Sequence, residues 1–137
     1  MPTFAHGKGA VVKVADSGGT LRDISNVANS TGLSRKVDTA EVTAFGANDK
    51  AYIAGLRDAT IPLGGLADAT VDGYLAGILG WSTPVAWEVY PMGSATGLPK
   101  YSGSAILTSY ESSADVGDAV KVSGELQVTG AVTRTTV

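Results

Sequence analysis

Hydrophobic and polar residues alternate with a period of two along much of the chain, most cleanly near its C-terminal end. Val120, Val122, Gly124, Leu126 and Val128 fall on one side of that segment; Lys121, Ser123, Glu125, Gln127 and Thr129 fall on the other. A period of two over this length predicts a half-buried strand with one apolar and one polar face. The whole stretch from Lys100 to Thr133 reads as two long alternating strands joined by a short acidic turn that carries Asp115 and Asp118.

The same pattern, interrupted by turn residues, predicts the other elements. Gly9–Ala15 reads as a first strand, Asp16-Ser17-Gly18-Gly19 as a turn, and Thr20–Asn26 as the hairpin partner. Asn29-Ser30-Thr31 matches a glycosylation acceptor and reads as a turn. Gly32–Val37 begins another strand, with Leu33 inward. From Asp38 to Gly55 the alternation fades, which predicts a long loop over about 38–55 whose Phe45, Tyr52 and Ile53 are interface anchors. Alternation resumes over Leu56–Asp68, where Pro62 and Gly64-Gly65 mark an edge or a bulge. The period then lengthens. Over Ala69–Gly80, Val71, Leu75, Ile78 and Leu79 share a side at helical spacing. Thr70 is positioned to cap this short helix, Asp72 sits in its first turn and Gly80 suits its stop. Val85–Tyr90 is a strand carrying Trp87 and Tyr90, and Pro91–Gly97 is a loop.

Composition narrows the picture. A chain of 137 residues is expected to form one domain, 1–137, with a core sufficient to fold without disulfide or metal, and it contains no Cys. Its 18 glycines and few aromatic residues suit strands and turns. Ten basic against 13 acidic residues give a net charge of −3, which argues against a nucleic-acid-binding face. The N-terminal segment lacks the pattern of a signal peptide, and no window is apolar enough for a spanning helix, so no membrane is expected.

Candidate chemistry is sparse. His6 is the single histidine and has no sequence partners for catalysis; the His/Cys clusters that hold zinc are missing. Asp115 and Asp118 flank a turn without the regular oxygen spacing of a calcium loop. Glu88 and Glu111 would form a glycosidase pair only at the right separation. Gly7-Lys8-Gly9 precedes a strand rather than a helix, and the run at 93–97 lacks the Lys of a phosphate loop. Arg35-Lys36 and Lys8/Lys13 are the only basic concentrations, with acids around them. No catalytic residue, metal ligand or cofactor-binding residue is expected. Edge-breaking residues are few, Pro62 and Lys121 among them, which leans the reading towards self-association.

Three segments carry a family resemblance: SGGTLRDIS at 17–25, VDTAEVTAFGANDKAYIAGLRDATIPLGG at 37–65 and YSGSAILTSYESSADVGDAVKVSGELQVTGAVTR at 101–134. Together, in this order, they resemble the major tail tube proteins of long-tailed, siphovirus-type bacteriophages. The resemblance implies a mainly β chain: an antiparallel β-sandwich or split barrel with one short flanking α-helix. It implies six-membered rings of this chain, stacked into a hollow tube through which double-stranded DNA is ejected without sequence-specific binding. Tape-measure, tail-tip and tail-terminator proteins are the implied partners, and the implied location is the virion tail, assembled in the host cytoplasm. The 38–55 segment matches the family's inter-ring loop, with Asp38, Glu41, Phe45, Asn48, Asp49, Lys50, Tyr52 and Ile53 as contact candidates. The C-terminal extra domain of some family members is not expected. Ser123, Glu125, Gln127 and Thr129 are the candidate lumen lining, with Lys121 on the same face at the rim or paired with an acid.

The structural competitors are a capsid decoration or head-tail joining protein and the tube protein of a bacterial injection system. A carbohydrate-binding β-sandwich is a different class; it would need Trp81, Trp87 and Tyr90 as an exposed platform.

Overall fold

A computed structural model describes residues 4 and 6–137. Eight antiparallel strands and one helix follow a short 3-10 turn at Gly7–Gly9: β1 (Val11–Ala15), β2 (Leu21–Asp23), β3 (Ala28–Thr31), β4 (Ser34–Glu41), β5 (Tyr52–Leu66), α1 (Ala69–Ile78), β6 (Val85–Tyr90), β7 (Pro99–Ser113) and β8 (Lys121–Thr136). The strands form one curled sheet, a half-barrel, in the order β2-β1-β6-β7-β8-β5-β3, with β4 also paired to β5. The mainly β reading with a single helix therefore holds.

One side of the sheet makes the core. Val12 and Val14 of β1, Ile61 and Leu63 of β5, Trp87 and Val89 of β6, Leu107 of β7 and Leu126 and Val128 of β8 are all buried. The stripe Val71, Leu75 and Ile78 of α1 closes over them. Burying each such side chain contributes about 1.5–3 kcal/mol, which holds a ten-residue helix that would not persist alone. Its cap is Asp68, whose carboxylate accepts from the Val71 amide at 3.2 Å, and not Thr70. An Asp one turn before the apolar stripe competes better for the first free amides than a Thr already inside the helix. Gly80, at φ +79°, ends the helix in the left-handed region, as expected of a Gly stop. Leu79, expected on the inward side, is exposed at the turn.

Three further expectations change. Asn29-Ser30-Thr31 is not a turn but most of β3, paired to β5 with an extra residue at Asn29. Pro62 is not on an edge: β5 is an inner strand, with Pro62 opposite Glu125 of β8. On its other flank Pro62 lies where the chain crosses from β3 (Thr31 opposite Leu63) to β4 (Ser34 opposite Thr60), so no ladder partner is lost. Lys121 likewise begins an inner strand and blunts no edge.

The predicted 38–55 loop is shorter and differently built. Thr39, Ala40 and Glu41 of β4 pair with Ala54, Ile53 and Tyr52 of β5, leaving only Val42–Ala51 as loop. The alternation failed there because a bulge sets Gly55 and Leu56 against Asp38, and because both faces are exposed. No helix among the described residues is long and apolar enough to cross a membrane.

Candidate functional site

Cross-strand register decides which side chains share a surface, because directly opposed residues of an antiparallel pair point the same way. Ser123 lies opposite Gly64 of β5 and Glu111 of β7; Glu125 lies opposite Pro62 and Ser109. Gln127 lies opposite Thr60 and Ile106, and Thr129 opposite Ser104. The four candidate lining residues thus stand on one face that crosses β5, β8 and β7, on the reverse of the core. Ser123, Glu125 and Thr129 are exposed there. Gln127 is half-buried: its amide donates to Asp58 Oδ1 at 2.7 Å and to the Ala59 carbonyl at 3.1 Å, tying β8 to β5. Lys121 joins the face at its end, opposite Leu66 and Ser113, and is in neither of the salt bridges among the described residues.

Sequence reasoning missed the β7 and β5 contributions to this face. Ser104, Ser109 and Glu111 belong to it, but two bulges in the β7–β8 ladder, between Ser102 and Ser104 and between Leu107 and Ser109, break the alternation that would have shown it. Thr108, the extra residue at the second bulge, donates its hydroxyl to the Glu125 carbonyl at 3.1 Å.

The face continues onto β6 through Glu88, opposite Ser102. Glu88 accepts from the Tyr90 hydroxyl at 2.7 Å and lies 2.9 Å from the Lys100 ammonium. Burial pushes its carboxyl up, but Tyr90 and Lys100 outweigh that and leave it below its ordinary value. Lys13 and Lys100 flank the Tyr90 ring at 5.3 and 5.7 Å from its centre. The cluster fastens β1, β6 and β7 together.

The second candidate region is the arm formed by β4 and the first half of β5. β5 leaves β8 beyond Thr60, and from there to Tyr52 it pairs with β4 alone. The resulting ribbon extends roughly 25 Å past the last β8 partner. Every residue of β4 is exposed, and Val37, Val42, Phe45, Tyr52, Ile53 and Leu56 leave apolar surface in solvent. Two-stranded ribbons are marginal by themselves, and this one carries apolar surface that no other element among the described residues covers. Of the candidate contact residues, Asp38 sits at the bulge, Glu41 and Tyr52 form the last pair, Ile53 opposes Ala40, and Phe45, Asn48, Asp49 and Lys50 lie in the loop. Thr43 ties the loop base, donating to Glu41 Oε1 at 3.1 Å and accepting from the Ala51 amide at 3.0 Å.

The alternative chemistries find no geometry. Glu88 opposes Ser102, nine residues along β7 from Glu111. At about 3.3 Å per residue the carboxylates are roughly 30 Å apart, whereas glycosidase pairs need under about 10 Å. Trp87 is 1 % exposed, with its ring edge near Gly103, so it offers no sugar platform, and Tyr90 is buried too. Among the described residues no group of three metal-ligating side chains comes together.

A curled antiparallel sheet with a fully exposed eight-residue edge strand, an apolar arm and one polar face defines a mainly β protein with one helix. The sequence profile described as "phage tail tube protein" matches residues 5–134, and the chain belongs to that family. A search of curated proteins gave no match. Among solved structures, the chain is similar to the tail of an empty gene transfer agent particle refined with C6 symmetry, with TM-score 0.83 at 20% identity, covering 96% of this chain and 99% of that one. It is similar to the SPP1 tail tube, with TM-score 0.71 at 14% identity over 97% and 80% of the two chains. It also resembles a chain of the sheath-tube complex of an extracellular contractile injection system, with TM-score 0.70 at 19% identity over 97% and 92%. These likenesses establish a shared fold. The protein is a structural tail tube component of virion-like particles.

Proposed function

We propose that the whole chain, 1–137, acts as one tail-tube unit: six copies close a ring, rings stack into a hollow tube, and double-stranded DNA passes through the lumen on ejection. The observation that carries this reading is the polar face of β8, extended by Ser104, Ser109 and Glu111 of β7, on the reverse of the core. Ser123, Glu125, Gln127 and Thr129, with Glu111 beside them, line the lumen. A lining of hydroxyls, an amide and carboxylates gives phosphates nothing to condense on, whereas lysines and arginines would exchange for counterions and hold the DNA. Lys121, at the end of the strand, stands at the rim. The exposed β4 edge leaves backbone groups for pairing that a ring satisfies and a monomer does not. The arm, with Asp38, Glu41, Phe45, Asn48, Asp49, Lys50, Tyr52 and Ile53, reaches the neighbouring ring. The unit performs no catalysis. It assembles in the host cytoplasm with tape-measure, tail-tip and terminator proteins.

Negative-stain microscopy of the purified protein tests the reading. Rings or tubes are expected at high concentration; monomers alone, with or without a tail-tip initiator, would overturn it.

A further inference from the structure

The two ends of the long strands carry opposite surfaces. At one end, where Leu66, Lys121 and Ser113 align, the helix N-terminus and the β7–β8 turn gather Asp68, Asp72, Glu111, Asp115 and Asp118 against a single cation, Lys121. The turn is tight: the Asp118 amide donates to the Asp115 carbonyl at 3.2 Å and Gly117 takes φ +92°. This sets Val116 at the tip, fully exposed. An apolar side chain between two carboxylates at the apex of this turn is shaped to enter something.

At the other end a groove of about 740 Å³ opens between the root of the β4–β5 arm and β8. Val37, Val128 and Val132 give it an apolar floor, and Arg35 and Arg57 stand over it. Arg35, Val37 and Arg57 share a strand face by register, since Val37 opposes Arg57 and Arg35 is two residues from Val37. Neither arginine is in a salt bridge; the ion pairs among the described residues are Arg22–Asp16 and Lys100–Glu88. Arg35 lies over the Tyr101 ring, 4.9 Å from its centre, at the border between this groove and the neighbouring cavity that Tyr101 lines. Asp58, the acid at the groove, is engaged with Gln127 and the Ala59 amide.

We propose that this groove receives the β7–β8 turn of a second copy in the adjacent ring: Val116 seats on Val37, Val128 and Val132, while Asp115 and Asp118 meet Arg35 and Arg57. The inference rests on the tube reading above and assigns the contact that sets the stacking polarity. Turn and groove lie roughly 35 Å apart along β8, so each copy gives its turn in one direction and its groove in the other. Such a head-to-tail contact cannot close on itself between two copies and propagates as a stack. It also places the arm of the receiving copy alongside the copy whose turn it holds.

The absence of Cys makes the test specific. In assembled tubes of the double variant Val116→Cys/Val132→Cys, oxidation should give a ladder of covalent multimers, while each single variant stays monomeric on a denaturing gel. Tubes without the ladder overturn the contact and leave the tube reading standing; failure of the unsubstituted chain to form tubes removes both. Charge reversal gives an independent arm. Asp115→Arg/Asp118→Arg should raise the critical concentration for assembly about tenfold or more with unchanged circular dichroism. Adding Arg35→Asp/Arg57→Asp should restore assembly. Unimpaired assembly of the first variant, or no rescue by the second pair, contradicts the proposal.

Discussion

At Gly65 an added Cβ would lie 2.4 Å from the Val27 carbonyl oxygen and 2.9 Å from Ala28 Cα. Both are backbone atoms at the β3 bulge and cannot swing aside as a side-chain tip would. Gly65→Ala is therefore expected to cost about 1–3 kcal/mol, the usual range for overpacking, read as a lower urea midpoint at unchanged slope. A midpoint equal to the original would show that β3 is not held against β5 as described. The helix start gives a second expectation at this scale. Asp68 holds the Val71 amide, so Asp68→Ala should cost about 1 kcal/mol while Thr70→Ala costs little. The reverse ranking in thermal or urea unfolding would return the cap to Thr70.

Among the elements, the arm carries the sharpest separation of folding from assembly. Phe45 is fully exposed in the Val42–Ala51 loop and makes no contribution to the core. Phe45→Ser should leave stability within about 0.5 kcal/mol. It should nevertheless shorten or abolish tubes if the arm docks on the next ring; tubes of normal number and length would remove Phe45 from that contact. The arm also shows what could be read from the sequence. β8 was legible because it has core on one face and solvent on the other, and alternation records that difference. β4 has solvent on both faces, so Val37, Thr39 and Glu41 obey no inside and outside, and the strand looked like loop from Asp38 onward. β3 was hidden for a related reason: Asn29 and Ser30 are polar, exposed and bulged, and turn chemistry outweighed strand signal. Pro62 misled because proline bars a ladder hydrogen bond in general, and only the β3-to-β4 crossing shows why none is lost there. The polar face of β8 was legible along that one strand; its extension to Glu111 and Ser104 depends on bulge positions that no local pattern fixes.

For the whole molecule, the ion pairs, the buried Tyr90 and the half-buried Tyr110 set how far stability extends in pH. Asp16, held by the Arg22 guanidinium at 2.8 Å and by the Thr20 and Gly18 amides, lies below its ordinary 3.8, and Glu88 lies below its ordinary 4.5. A carboxyl depressed in the folded state stabilises it fully above the unfolded value and loses that contribution as pH falls through the folded one. The acid limb should thus begin below about pH 4.5. Tyr110 works in the opposite sense: burial and its hydrogen bond to Asp72 push it up to about 12 from an ordinary 10.0. A phenol raised in the folded state stabilises it fully below the unfolded value, so that contribution is lost between about pH 10 and 12. Tyr90, raised by burial and by Glu88, adds to the same limb. Urea midpoints across this range should therefore show a plateau with two shoulders. Glu88→Gln should flatten the acid shoulder. Tyr110→Phe should shrink the alkaline one and leave the acid one in place. Because Tyr110 joins β7 to the helix and Glu88 joins β6 to β7, the two variants report on opposite ends of the strand that runs through the proposed wall. An alkaline shoulder that Tyr110→Phe leaves untouched would mean that the helix is not held to β7 through Asp72.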